Sequence, residues 1–179
     1  MSDIRQVLSE QTPRLRRYAV ALTRNPDQAD DLVEDTLREA IAQGMTRELT
    51  ARDGTALRIW LLTILHEQHD NPFRLAAPGA APYNPDLDPS ARATLSRFDH
   101  ALGRLPVEQR APILLIGLEG MTYDATAEIL GIAVGTMRAR LLRGRETLAR
   151  AMATPEIRRA EPRGSAPRRA APRRPARAA

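Results

Sequence analysis

The sequence predicts an all-α protein made of two small helical domains. Hydrophobic residues make up 42% of the chain but aromatic residues only 3%, a composition that is typical of helices packed on helices. Apolar positions also recur every three or four residues over most of the chain. A proline-rich stretch near the middle divides the 179 residues into two parts, neither of which is long enough for a large core.

Prolines and charge set the predicted domain boundaries. We expect a first domain over residues 1–70, a Pro-rich linker over 71–90 and a second domain over 91–153. Residues 154–179 repeat Arg, Pro and Ala without an apolar period, so this tail is predicted to be disordered.

The basic charge of the chain is concentrated in its last residues. Residues 155–179 hold eight Arg and two Glu, net +6. The rest of the chain has 19 Arg and 20 acids, net −1. The formal charge of +5 therefore belongs to the tail.

Three helices are predicted in the first domain. The first spans residues 3–24, where Pro13 either kinks it or marks a break. Asn25 followed by Pro26 is typical of a helix cap with proline in the first turn, and the second helix is expected to end near Gly44. A third helix follows a loop and is apolar nearly all round, so it is the expected core. The second helix is predicted to turn one apolar stripe inward, formed by Ala29, Leu32, Val33, Leu37, Ala40 and Ile41.

The second domain is predicted to end in a helix-turn-helix at about residues 122–150, after helical segments from Ser90 to Leu105 and from Pro106 to about Glu119. Pro112 lies in a first turn or kinks its helix. Ala127 and Gly131 suit a close helix crossing and a left-handed helix end. At 100° per residue, the inward face of the last helix holds Val134, Met137, Leu141 and Leu148.

The opposite face of that last helix is the predicted DNA-binding surface. Residues 134–154 carry five Arg and one Glu, net +4, which favours a recognition helix in the major groove. The alternative is a solvated basic face on an ordinary helical hairpin. The candidate DNA-contacting residues are Gly135, Thr136, Arg138, Ala139, Arg140 and Arg143.

Several function classes are not supported by the sequence. The chain has no cysteine, no apolar run of the roughly 20 residues that a bilayer requires, and no export signal at its start, so we expect a cytoplasmic protein without a membrane partner. His66 and His69 are one residue too close for the zinc-protease motif. No phosphate loop or catalytic triad is present. We therefore predict no enzyme activity, no catalytic residue, no metal, no cofactor and no small-molecule substrate.

Five segments resemble one family, the extracytoplasmic-function (ECF) sigma factors of the sigma-70 type. Residues 30–37 (DDLVEDTL) resemble the family's region 2.2. Region 4 is matched by residues 105–110 (LPVEQR), 118–123 (LEGMTY) and 127–136 (AEILGIAVGT). Residues 54–65 (GTALRIWLLTIL) look like region 2.3, particularly in the alphaproteobacterial general-stress (EcfG-like) subgroup.

The resemblance implies a function in transcription initiation and stress response. In this family the first domain docks on the β′ clamp helices of core RNA polymerase and reads the −10 element, while the second domain reads the −35 element of promoter DNA. An anti-sigma factor is also implied as a partner. Carried over by position, the core-polymerase contacts are Asp30, Asp31, Glu34 and Asp35.

One segment departs from the family pattern. After Leu65 such proteins usually continue with basic residues, whereas this chain has HEQHDNPFR over residues 66–74. The candidate −10 contacts are then Arg47, Arg52, Arg58 and Trp60, although Trp60 also fits the core. Because few basic residues are available to hold melted DNA, an alternative function is a sigma-like decoy that occupies polymerase or an antagonist. A plain helix-turn-helix repressor is a third interpretation. The Arg-rich tail either binds nucleic acid through phosphates or solubilises the chain.

Overall fold

The computed structural model describes residues 2–44, 54–70 and 88–153, and these residues form helices and turns. The predicted linker up to residue 87 and the tail from residue 154 lie outside the described residues. The helices in chain order are α1 (Ser2–Thr23), α2 (Pro26–Ala42), α3 (Gly54–His69), α4 (Pro89–Gly103), α5 (Val107–Gly117), α6 (Tyr123–Ile129) and α7 (Val134–Ala153). The all-α prediction is confirmed.

The first two helices join through a capped turn. Pro13 lies inside α1, which continues past it to Thr23. Arg24 then adopts a φ of 60°, and the Asn25 side chain accepts hydrogen bonds from the amides of Asp27 and Gln28 at 3.0 and 3.2 Å. This cap satisfies two backbone donors that the start of a helix leaves without partners.

The buried face of α2 differs from the predicted stripe at one end. Ile41 is 60% exposed, so its assignment to the core was wrong. The buried positions Ala29, Val33, Thr36 and Ala40 follow each other at three or four residues, and Ile41 lies 100° round the helix from Ala40. Thr36 fits this face because its hydroxyl donates to the Leu32 carbonyl at 2.7 Å.

The core of the first domain lies between α1, α2 and α3. It includes one buried polar pair, in which the Tyr18 hydroxyl and His66 Nε2 are 2.5 Å apart. Burial raises the pKa of Tyr18 well above its usual value. Burial also lowers the pKa of His66 from 6.5 to about 4. The imidazole is therefore neutral at neutral pH.

Acid is expected to destabilise the first domain through His66. The unfolded chain binds the proton below about pH 6.5, whereas the folded chain does so only near pH 4, so stability falls as the pH drops through this range. The effect is about 3 kcal/mol when complete. Urea unfolding at pH 7, 6 and 5 tests it, because His66→Gln is expected to flatten the pH dependence. His100→Gln, at an exposed position of α4, is the matched control; equal slopes for both variants would contradict the assignment.

The second domain packs α4 and α5 against α7. Asp88 caps α4 by accepting from the amides of Ser90 and Ala91. Pro112 lies beyond the first turn of α5 and is buried. A side-chain carbon at Gly144 would lie 2.9 Å from both the Gln109 carbonyl oxygen and Ile113 Cδ1. The absence of a side chain at this glycine is what allows α5 and α7 to pack so closely.

The two domains share one continuous apolar interior. Leu22 and Leu65 of the first domain belong to the same buried cluster as Leu105, Leu115 and Met121 of the second. A separate, smaller cluster holds α6 against α7. The chain is therefore in a closed arrangement, in which the second domain covers part of the first.

Candidate nucleic-acid interface and interdomain contacts

The last two helices form the predicted helix-turn-helix. The Thr122 hydroxyl caps α6 by accepting from the Ala125 amide at 3.2 Å. Gly131 has a φ of +60°, a left-handed conformation that ends α6 and that glycine adopts without steric cost. Ala127 is buried with Met137 and Leu141 between the two helices. This packing fixes which face α7 turns outward.

The outward face of α7 exposes most of the candidate DNA-binding residues. The helix holds five Arg and one Glu, and the part of α7 that packs inward is apolar, so the charge lies on the accessible surface. The structure thus agrees with the predicted orientation, while contact with DNA stays a prediction. Gly135, Thr136, Arg138 and Arg143 are exposed, and Ala139 and Arg140 are half-buried.

Tyr123, which begins α6, lies at the surface. Its ring is 38% exposed, and the Arg138 guanidinium carbon lies 5.6 Å from the ring centroid. This distance is within the range of a cation–π contact. The contact restricts Arg138, one of the candidate DNA-binding residues.

The acidic face of α2 is accessible and carries its own arginine partners. Asp30, Asp31 and Glu34 are exposed, and Asp35 is half-buried. Arg38 pairs with Glu34 at 2.6 Å and with Asp35 at 2.5 Å. Exposed ion pairs of this kind add little stability, so a partner protein can replace them. Residues 25–44 hold six acids and one Arg, net −5.

Asp30 has a partner that comes from another helix. Arg16 of α1 contacts both carboxylate oxygens, at 2.5 and 3.0 Å. The hydrogen bond from Arg16 lowers the pKa of Asp30. The carboxylate is therefore charged and held in one orientation at the surface.

The candidate −10 contacts are only partly within the described residues. Arg58 and Trp60 lie on α3 and are half-buried, and Trp60 packs against the core. Arg47 and Arg52 lie outside the described residues. The structure therefore supports Trp60 as a packing residue and leaves its part in DNA binding as a prediction.

A bidentate ion pair joins the turn before α2 to α4. Arg24 Nη1 and Nη2 donate to the two carboxylate oxygens of Asp99 at 2.9 and 2.8 Å, and Nη1 also donates to the Asp99 carbonyl. The guanidinium lies directly over Gly103, where a side-chain carbon would overlap it. The left-handed backbone of Arg24 and the bare glycine thus both serve this contact between the domains.

Two further polar contacts cross the same interface. Arg17 Nη2 donates to Glu119 Oε1 at 2.7 Å, and the Glu119 side chain is only 1% exposed. Arg110 donates to the Leu22 carbonyl at 2.6 Å in the first domain and to the Leu105 carbonyl at 2.8 Å in the second. Burial lowers the pKa of Arg110. Sequence patterns missed all of these residues, because the cross-domain partners are 75 to 102 positions apart.

Comparisons with known proteins match both domains. The family "Sigma-70, region 4" matches residues 95–148, and "Sigma2 domain of PhyR" matches residues 8–66. The ECF RNA polymerase sigma factor EcfG of Rhodopseudomonas palustris is 34% identical over 155 residues, covering 82% of this chain and 83% of that protein. The chain belongs to the ECF RNA polymerase sigma factors. This family does not consist of enzymes.

Other proteins are similar to this chain over most of its length. SigM of Mycobacterium tuberculosis is 33% identical to this ECF sigma factor, over 78% of this chain and 71% of SigM. The sigma factor RpoE of Bartonella quintana, solved in complex with the anti-sigma factor NepR, is 30% identical with a TM-score of 0.65, covering 85% of this chain and 98% of RpoE. CnrH, solved with the cytosolic domain of CnrY, is 25% identical with a TM-score of 0.57, covering 81% of this chain and 84% of CnrH.

The closed arrangement of this ECF sigma factor creates a cleft between its domains. The cleft has a volume of about 620 Å³ and lies between the acidic face of α2 and the start of α5. Asp31, Glu34 and Asp35 line it on the α2 side, and Val107 and Arg110 line it on the α5 side. Among the described residues, no cluster of His, Asp or Glu suits a metal ion. None of the described helices has the length and apolar content to cross a membrane.

Proposed function

We propose that this sigma factor binds core RNA polymerase through α2 and the −35 promoter element through α7, as a cytoplasmic protein. The observation that supports this most directly is the exposed basic face of α7 in a helix-turn-helix whose other faces are packed. Sequence similarity to EcfG extends over both domains, which favours initiation over a repressor with one DNA-binding domain. The domains are proposed to extend over residues 1–70 and 91–153.

For DNA, the proposed division of labour on α7 follows side-chain chemistry. Thr136 and Ala139 are short enough to approach base edges, where a hydroxyl bonds to bases and a methyl contacts thymine. Arg138, Arg140 and Arg143 are long and charged, so they divide between guanine edges and phosphates. Tyr123 helps by keeping the Arg138 guanidinium near the start of α7.

For polymerase, the acidic face of α2 is the proposed contact. Asp31 and Glu34 are exposed, and Glu34 already binds a guanidinium within its own helix. The β′ clamp helices are expected to exchange basic side chains for Arg38 and Arg16. Charge complementarity of this kind raises the association rate and fixes the register of two helices.

The closed arrangement is proposed to be a resting state. The names of the −35 and −10 elements place them about 25 base pairs apart, which is about 85 Å at roughly 3.4 Å per base pair. A compact chain of this size has a radius of gyration of only about 15 Å. Both elements are therefore out of reach of the packed domains. The chain between Asp70 and Asp88 spans up to about 60 Å when extended, enough for the domains to separate.

An anti-sigma factor is a proposed partner. RpoE and CnrH, whose folds this chain shares, were solved in complex with NepR and the cytosolic domain of CnrY. A pull-down from cells with this chain as bait, followed by identification of small bound proteins, tests the proposal. Similarity to ECF RNA polymerase sigma factors over both domains does not favour the decoy alternative, and promoter-dependent transcription distinguishes the two functions.

Arg143→Ala is expected to weaken binding of the chain to its −35 element by about tenfold to a hundredfold, because one base or phosphate contact to guanidinium contributes about 1–3 kcal/mol. The measurement is fluorescence anisotropy with a labelled promoter duplex at physiological salt. Arg104→Ala is the matched control, since Arg104 is exposed in the turn after α4 and is not part of α7. Equal affinity for wild type and Arg143→Ala would show that α7 presents another face to DNA.

A further inference from the structure

The cleft between α2 and α5 has a lining of mixed character. Leu22, Leu32 and Val107 give it apolar walls, and Asp31, Glu34 and Asp35 give it carboxylates. Arg38 of the same wall pairs with Glu34 and Asp35, so an arginine-rich occupant competes with this surface ion pair. Arg110 also lines the cleft; this side chain is 8% exposed. The fitting occupant is thus an extended peptide with basic and small apolar side chains.

We propose that the Arg-rich C-terminal segment of this same chain, residues 154–179, docks in the cleft. The segment holds eight Arg, two Glu and otherwise mostly Ala and Pro. Guanidinium groups pair with carboxylates in bidentate fashion, and Ala and Pro are small enough for a cleft of about 620 Å³.

Charge favours this occupant. Residues 25–44 are net −5, residues 155–179 are net +6, and residues 1–154 as a whole are net −1. The tail and α2 therefore carry opposite net charges and attract each other. At physiological salt the Debye length is about 8 Å. The attraction between the tail and α2 therefore acts only when the two are close together, and it weakens at higher salt.

The tail begins within reach of the cleft. At the end of α7, the Met152 carbonyl accepts a hydrogen bond from Arg97 of α4 at 2.5 Å. Two residues further along α4, Asp99 binds Arg24, which directly precedes α2. A segment of this length extends to about 85 Å, several times the radius of the folded chain. Covalent attachment also gives the tail an effective concentration that is commonly on the order of millimolar, so a weak site is occupied.

Docking of the tail would couple two events. Both domains supply walls of the cleft, so an occupant stabilises the closed arrangement over the open one. The tail would also cover Asp31 and Glu34, the proposed contacts to core polymerase. This second consequence rests on the proposed function, whereas the docking itself does not.

A spin label on the tail tests the docking in the absence of polymerase and DNA. The chain has no cysteine, so Ala178→Cys gives a single attachment site in the full-length protein. At low salt we expect the spin label to broaden the amide NMR signals of residues 31–38 and of Val107. These signals are expected to recover in 1 M salt. In a matched variant with all eight tail arginines replaced by Gln, the loss is expected to disappear. Signal loss that is equal in both proteins, or that falls on α7 instead, would overturn the proposal.

Affinity for core polymerase is the second measurement. The arginine-to-glutamine tail variant is expected to bind about fivefold to tenfold more tightly than wild type, because the competent fraction of molecules increases. A variant that loses promoter affinity with unchanged polymerase affinity would instead assign the tail to DNA and overturn the proposed covering of Asp31 and Glu34. If neither protein binds polymerase, the proposed function fails while the spin-label result still decides the docking.

Discussion

Reversal of charge at Asp31 and Glu34, as Asp31→Arg with Glu34→Arg, is expected to weaken binding to core polymerase by about a hundredfold. Replacing attraction by repulsion at two contacts of a charged interface changes the binding free energy by about 3 kcal/mol. Both side chains are exposed on α2, so the fold tolerates the change. Surface plasmon resonance with immobilised core polymerase measures the affinity.

The matched control for this charge reversal is Glu10→Arg with Glu67→Arg. Glu10 and Glu67 are exposed on α1 and α3, so the control makes the same change in net charge away from the acidic face of α2. Its affinity is expected to fall by much less. If both double variants lost affinity equally, polymerase would respond to net charge alone and α2 would not be the contact.

Removal of the ion pair between Arg24 and Asp99 is expected to open the chain. Asp99→Ala leaves the Arg24 guanidinium over Gly103 without its carboxylate, and the loss of one partner from a partly buried pair changes the interdomain equilibrium by about 1–3 kcal/mol. Side-chain exposures of 18% and 33% place the pair at the edge of the interface. Small-angle X-ray scattering is expected to show a radius of gyration several ångströms larger than wild type.

A double-mutant cycle assigns the opening to this pair. Arg24→Ala with Asp99→Ala is expected to open the chain little more than Asp99→Ala alone, since the second change has no partner left to remove. Asp30→Ala is the control, because its ion pair with Arg16 lies wholly within the first domain. If Asp99→Ala had the same radius of gyration as wild type in the same buffer, the apolar interior alone would hold the domains together.

Local patterns made the helices and the face of α7 predictable from sequence. Asn25 before Pro26 fixed the start of α2, because capping depends on neighbouring residues, and the spacing of Met137 and Leu141 fixed the outward face of α7. The prediction that Ile41 is buried was wrong because its side chain lies just outside the part of the helix surface that contacts α1 and α3.

Such local patterns could not predict the contacts between the domains. Arg24 and Asp99 are 75 positions apart, and an arginine in a turn gives no sign of its distant partner. Their geometry depends on a left-handed residue and on Gly103, which only the packed domains bring together. The closed state and its cleft are therefore properties of the tertiary structure.

Transcription in vitro with purified core polymerase tests the initiation function most directly. With a promoter mapped from cells that overproduce the chain, we predict a transcript of defined start that requires both the chain and the −35 element. The transcript is expected to weaken with Arg143→Ala and to be lost with the charge reversal on α2. Binding to core polymerase without any promoter-dependent transcript would contradict initiation and favour the decoy.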